Sequence, residues 1–195
     1  MFVKICGLSN KEHVDAAVAA GADAIGCVFA ESVRRVDPGH ATKITRDVPK
    51  DVKRVAVMLH PTNEEWQSVL LGFGPDILQT DAEDFAALDV PEYVGRWPVY
   101  REGGVEPPMT GTYVYEGAKS GQGETVDWTR AAVLARHGYM ILAGGLSAAN
   151  VGAAVTTVRP FGVDVSSAVE SAPGEKDPEL ISKFITAAKA AETDL

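Results

Sequence analysis

The sequence predicts one α/β domain over residues 1–195, a closed (β/α)8 barrel with a reduced or missing fifth helix. Three observations lead there. Short apolar runs alternate with helical patterns along the whole chain, the signature of repeated βα units. The runs are apolar without strict alternation, as strands of a parallel sheet buried on both faces are. The G-x-G-x-x-G turn of an open doubly wound sheet is absent after the first run, where KICGLSN stands.

The elements follow in order. FVKIC (2–6) is the first strand, and Asn10 caps a helix whose Val14, Ala17 and Val18 share a face. DAIGCVF (23–29) precedes a helix after Pro38. VKRVAVML (52–59) precedes a helix over 62–73 that opens on Thr62, with Glu64 and Glu65 in its first turn. PDILQT (75–80) leads through a weak helix near 82–88 to GRWPVYR (95–101), where Pro98 cannot donate to a ladder. REGGVEPPMTG (101–111) holds too much Gly and Pro for a crossover helix, so the fifth helix is expected to be vestigial. TYVYE (112–116) is the sixth strand, and Asp127 caps a helix near 128–136. YMILA (139–143), a helix at 147–158, FGVDV (161–165) and a closing helix at 178–191 complete eight strands and roughly seven helices. Only ETDL looks like a tail.

Composition narrows the function. A net charge of −9 and a pI near 4.9 disfavour broad binding to nucleic acid or anionic lipid, which need a surplus of Lys and Arg. No apolar run is long enough to span a bilayer and MFVKICGLSN lacks a signal-peptide pattern, so the expected location is the cytoplasm. Two cysteines, Cys6 and Cys27, make no disulfide framework. The four histidines (His13, His40, His60, His137) show no ligand spacing, so no metal site is expected and all four read as surface or loop residues.

In a barrel of this kind, side chains at the carboxyl ends of the strands converge on one mouth. Those ends carry Cys6, Arg34, Gln79, Glu116, Gly144 with Gly145, and Asp164 with Ser166 and Ser167. Glycines between a strand and a helix present bare N–H groups to an anion, and Ser166 and Ser167 lie where barrels often place a short extra helix over phosphate. The pairing of GGLS with DVSSAVE therefore points to a phosphorylated small molecule. Cys6 is a candidate base for a carbon-bound proton and Glu116, across the barrel, the matching acid. Cys27 reads as core.

VKICGL (3–8), SVRRV (32–36), ILQ (77–79), GQGETVDW (121–128), LAGGLSAANV (142–151) and FGVDVSSAVESAPGEKD (161–177) together resemble the phosphoribosylanthranilate isomerases of tryptophan biosynthesis. The resemblance runs over nearly the whole chain in the right order. It implies a TIM barrel without metal or organic cofactor, acting on a small phosphorylated substrate as a monomer or homodimer. The implied reaction is an Amadori rearrangement of N-(5-phosphoribosyl)anthranilate to 1-(2-carboxyphenylamino)-1-deoxyribulose 5-phosphate. In it Glu116 would protonate the ribose ring oxygen, Cys6 would take the C2 proton, and Arg34 would pair with the anthranilate carboxylate. Gln79 and Asp164 would contact substrate, and the phosphate would lie between Gly144–Gly145 and Ser166–Ser167. Three positions depart from the family: Glu116 stands for an aspartate, Asp81 for a histidine and Ala168 for a glycine. The departures leave a second expectation, a weak or idle barrel that binds a phosphorylated ligand, and a third, an isomerase of a related phosphosugar.

Overall fold

The computed structural model describes residues 1–118 and 125–193. The glycines of GQGETVDW and the last two residues of ETDL lie outside that range. Eight parallel strands close into a barrel in sequence order: β1 (Phe2–Cys6), β2 (Ala24–Val28), β3 (Lys53–Val57), β4 (Ile77–Asp81), β5 (Gly95–Arg101), β6 (Thr112–Glu116), β7 (Tyr139–Leu142) and β8 (Gly162–Val165). Closure is made by β1 against β8, with Lys4 beside Asp164 in register.

The helices form where local chemistry starts them. Asn10 accepts from the His13 amide and opens α1 (Lys11–Ala19); Asp37 accepts from the His40 amide and opens α2 (Pro38–Thr45). Thr62 and Glu65 close a reciprocal capping box on α3 (Asn63–Phe73), which ends at Gly74 in the left-handed region. Asp127 caps α4 (Trp128–Leu134), and α5 (Val151–Val158) and α6 (Pro178–Thr193) follow β7 and β8. Among the described residues there are six α-helices rather than seven. The segment after β4 makes only a 3-10 turn (Ala82–Ala86), and no helix joins β5 to β6.

Three details differ from the sequence reading. The helix expected from residue 147 begins at Val151, because the Asn150 side chain folds back on the loop and holds it as a turn. His13 is buried rather than on the surface, packed on the inner face of α1 with Val14 and Ala17. A small hairpin, β9 (Glu170–Ala172) with β10 (Glu175–Lys176), follows β8. Pro98 does not break β5, which pairs with β4 from Gly95 to Val99, since one missing N–H costs a single ladder bond.

Alternation then decides what reaches the barrel axis. The inner cluster contains Ala24, Val55, Ile77, Trp97, Val99, Val114 and Ile141, with Phe2 packed against it, while the larger outer core lies between strands and helices. With a side-chain period of two, the inward set that contains Phe2 also contains Lys4 and Cys6. By the same parity Gln79 and Asp81 follow Ile77, Arg101 follows Val99, and Glu116 follows Val114. Charged residues thus share the inner face with apolar ones.

Candidate active site at the barrel mouth

The carboxyl ends of the strands enclose one cavity, lined by Cys6, Arg34, Gln79, Glu116, Gly144, Gly145, Asp164, Ser166 and Ser167 among others. All nine residues singled out from the sequence are brought together there. Met58, Leu59, Val28 and Val57 supply an apolar side to the same cavity.

Cys6 ends β1 and is buried. Burial pushes its thiol above the ordinary range, and the adjacent Lys4 ammonium pulls it back by charge and hydrogen bonding. Lys4 is wholly buried, with Nζ 2.9 Å from Asp164 Oδ2. Burial disfavours its charge, but the charge and hydrogen bonding of Asp164, with those of Cys6, more than offset this and raise the ammonium above its ordinary range. Gly26 on β2 makes room for the group, since a Cβ there would lie 3.0 Å from Cys6 Sγ and 3.1 Å from Lys4 Cε. Asp164 Oδ1 and Gln79 Oε1 are buried on the cavity wall and accept no hydrogen bond among the described residues.

Gly7 has φ +78°, and a Cβ there would come 2.5 Å from Arg34 Cδ and 3.1 Å from Ser166 Oγ. Glycine after Cys6 therefore lets the Arg34 chain cross the end of β1. Arg34 is tied side-on to Glu170, with Nε 2.6 Å from Oε1 and Nη2 2.8 Å from Oε2. Lys176, also buried, reaches Glu170 Oε1 at 2.6 Å and Ser166 O at 2.9 Å. Burial opposes ionisation of Glu170, yet the hydrogen bonds from Arg34 and Lys176 hold its carboxyl at about 2. Ser166 donates to the Cys6 carbonyl at 3.1 Å, so the eighth loop is fastened to the first strand.

The loop of Gly144 and Gly145 and the loop of Ser166 and Ser167 line the same cavity. Gly144 and Gly145 have φ of +86° and +59°, a conformation that other residues rarely adopt. Asn150 Nδ2 donates to Gly145 O at 2.9 Å, and its Oδ1 accepts from the Ser147 amide at 2.7 Å. In the second loop, Ser167 begins a one-turn 3-10 helix (Ser167–Val169), with Ser167 and Ala168 exposed. Ala168 is not among the residues with positive φ, so alanine is accommodated where the resemblance led to a glycine.

Glu116 ends β6 on the far side of the cavity and pairs with Arg101 Nη1. Arg101 also binds Asp81, through Nη2 at 2.6 Å and Nε at 3.3 Å. The negative charge expected of Asp81 near the substrate is thus engaged by a cation. Lys4, Arg101, Glu170 and Lys176 were not singled out from the sequence. The signal for Lys4 and Arg101 was parity with Cys6 and with the inner face of β5; Glu170 and Lys176 lie on a hairpin whose packing is set by tertiary contacts.

Comparison with known proteins agrees with this geometry. A family model described as N-(5'-phosphoribosyl)anthranilate (PRA) isomerase matches residues 106–187. Over 212 residues the chain is 40% identical to an N-(5'-phosphoribosyl)anthranilate isomerase of Listeria welshimeri, covering 98% of this chain and all of the relative. One from Bordetella petrii is 38% identical, covering 99% of this chain and 97% of the relative. The phosphoribosyl anthranilate isomerase of Thermotoga maritima superposes with TM-score 0.84 at 30% identity, covering 97% of this chain and 99% of that one. A solved isomerase in complex with reduced 1-(o-carboxyphenylamino)-1-deoxyribulose 5-phosphate superposes with TM-score 0.82 at 29% identity, with the same coverage.

Proposed function

The chain belongs to the N-(5'-phosphoribosyl)anthranilate isomerase family and is an isomerase of that kind in tryptophan biosynthesis, and from that premise we propose that Cys6 and Glu116 carry its two proton transfers. The observation that supports this assignment is that both line one cavity with the Gly144–Gly145 and Ser166–Ser167 loops, from opposite sides of the barrel.

The reaction opens the ribose ring and, in net, moves a hydrogen from C2 to C1. Glu116 gives its proton to the ring oxygen; the C1–O bond breaks and the anilino nitrogen forms a Schiff base with C1. The Cys6 thiolate then removes the C2 proton, and its electron pair makes an enolamine that tautomerises to the ketone. A buried thiol is a reluctant acid, and the Lys4 ammonium next to it lowers the cost of forming the thiolate.

Binding follows from the same walls. Phosphate would be held between the backbone of the Gly144–Gly145 turn and the start of the turn at Ser166–Ser167, whose Ser166 carbonyl accepts from Lys176. Arg34, fastened to Glu170 through Nε and Nη2, keeps Nη1 as the donor for the anthranilate carboxylate. Gln79 Oε1 and Asp164 Oδ1 are buried acceptors that substrate hydroxyls would satisfy. In this reading residues 1–195 act as one domain, with a small phosphorylated substrate as the main partner and no nucleic acid, as a monomer or homodimer in the cytoplasm. A Thermotoga maritima relative is dimeric, and no helix among the described residues is long and apolar enough to cross a membrane.

The test is Cys6→Ser. Turnover is expected to fall at least about a hundredfold, the usual contribution of a positioned base. The reduced product analogue should bind as it does to wild type. Near-normal turnover would remove Cys6 from the role of base.

A further inference from the structure

We propose that Arg101, clamped by Asp81, is the positioning residue of the acid Glu116, and that the three side chains act as one bridge across the ends of β4, β5 and β6. The proposal rests on the reading of Glu116 as the acid. Neither Asp81 nor Arg101 lines the cavity, whereas Glu116 does, so their effect on the reaction passes through Glu116.

The geometry is directional. A guanidinium is planar and offers two edges and a corner. Asp81 takes the Nε–Nη2 edge, which leaves Nη1 as the atom that meets Glu116 Oε1. All three side chains are largely buried, at 9%, 21% and 16% exposure for Asp81, Arg101 and Glu116, so solvent screens the bridge weakly. Register reinforces it, because Arg101 stands directly opposite Glu116 and Asp81 opposite Val99, two residues earlier on the same strand. A fixed plane between two carboxylates sets where the longer Glu116 chain can place its carboxyl, a job that a lone side chain at a strand end would do poorly.

The bridge also sets charge. Arg101 favours the ionised form of Glu116, and Asp81 shares that positive charge and moderates the effect. Of the neighbouring groups, His60 lies 3.6 Å from Asp81 Oδ2 and Glu102 accepts from the Asp127 amide, while β7 presents Ala143 and the same cavity is lined by Cys6 and by Asp164, which Lys4 pairs with. Opposite substitutions should therefore move the pH profile in opposite directions. An acid must be protonated to act, so activity falls as pH rises through its titration. Removing the cation moves that fall to higher pH, and removing the Asp81 charge moves it to lower pH.

The experiment compares Arg101→Met, Arg101→Lys, Asp81→Asn and Glu116→Gln for kcat, KM and the alkaline limb of the rate profile. Arg101→Met should lower kcat about tenfold to a hundredfold with KM within about twofold, the scale of losing about an ångström of alignment. Its alkaline limb should move up and that of Asp81→Asn down. Lysine should not restore the rate, because it has no planar fork. A loss confined to KM, or limbs that do not move, would overturn the bridge while leaving Glu116 as the acid, provided Glu116→Gln is inactive. An active Glu116→Gln would instead overturn the reading beneath it. Asp81→Asn keeps the shape of the site, so its limb shift decides the matter even where Arg101→Met does not fold.

Discussion

Glu170 shows how single side chains hold the mouth of this barrel. It receives both Arg34 and Lys176 and is itself almost wholly covered. Its folded carboxyl titrates at about 2 against an ordinary 4.5. A depressed carboxylate stabilises the folded chain above the ordinary value, and the contribution is lost as pH falls from 4.5 toward 2. Glu170→Gln should thus flatten the acid limb of Tm against pH while lowering stability at neutral pH by about 3 kcal/mol or more, because two cations lose their partner. An unchanged acid limb would mean that the pair is already open in solution. Residues of this kind were hard to read in the sequence. Cys6, Arg34, Gln79, Glu116 and Asp164 could be found because they sit at strand ends, whereas Glu170 and Lys176 become neighbours only through the hairpin. Lys4 was readable in principle: in FVKIC it alternates with Phe2 and Cys6, and a lysine of that parity has nowhere to go but the barrel axis.

The elements were legible where local chemistry decides them. Asn10, Thr62 and Asp127 each cap the helix they were expected to open, a helix follows at Pro38 as expected, and the Gly- and Pro-rich stretch 101–111 makes no helix. The reading failed at 147, where a helix was expected to start and Asn150 prevents it by bonding backward to Gly145 and Ser147. That bonding has a function in this account, since it tethers the loop assigned to phosphate. Asn150→Ala removes two hydrogen bonds, together about 1–2 kcal/mol. If the loss appears in binding, KM should rise roughly fivefold to thirtyfold with kcat little changed. A fall in kcat at constant KM would place the loop in the chemical step instead. The two departures noted in the sequence, Asp81 and Glu116, are joined through Arg101, so they belong to one rearranged corner rather than to two separate losses.

At the scale of the whole molecule, closure turns a list of strand ends into a site. Eight strands in sequence order place β1 and β6 on opposite sides of one mouth, and parity aims their last inward residues, Cys6 and Glu116, at the same space. The chain carries a net charge of −9, while around the mouth each of Arg34, Arg101, Lys4 and Lys176 is paired with an acid. The expectation of an idle barrel is not favoured by the match to isomerases over nearly the whole chain, and the residues proposed as base and acid line one cavity. The most direct measurement is steady-state turnover of freshly generated N-(5-phosphoribosyl)anthranilate by the wild-type protein, followed through loss of its anthranilate fluorescence. The account predicts sustained conversion to the ketose phosphate that Glu116→Gln abolishes. Binding of the reduced product analogue without any turnover would contradict it.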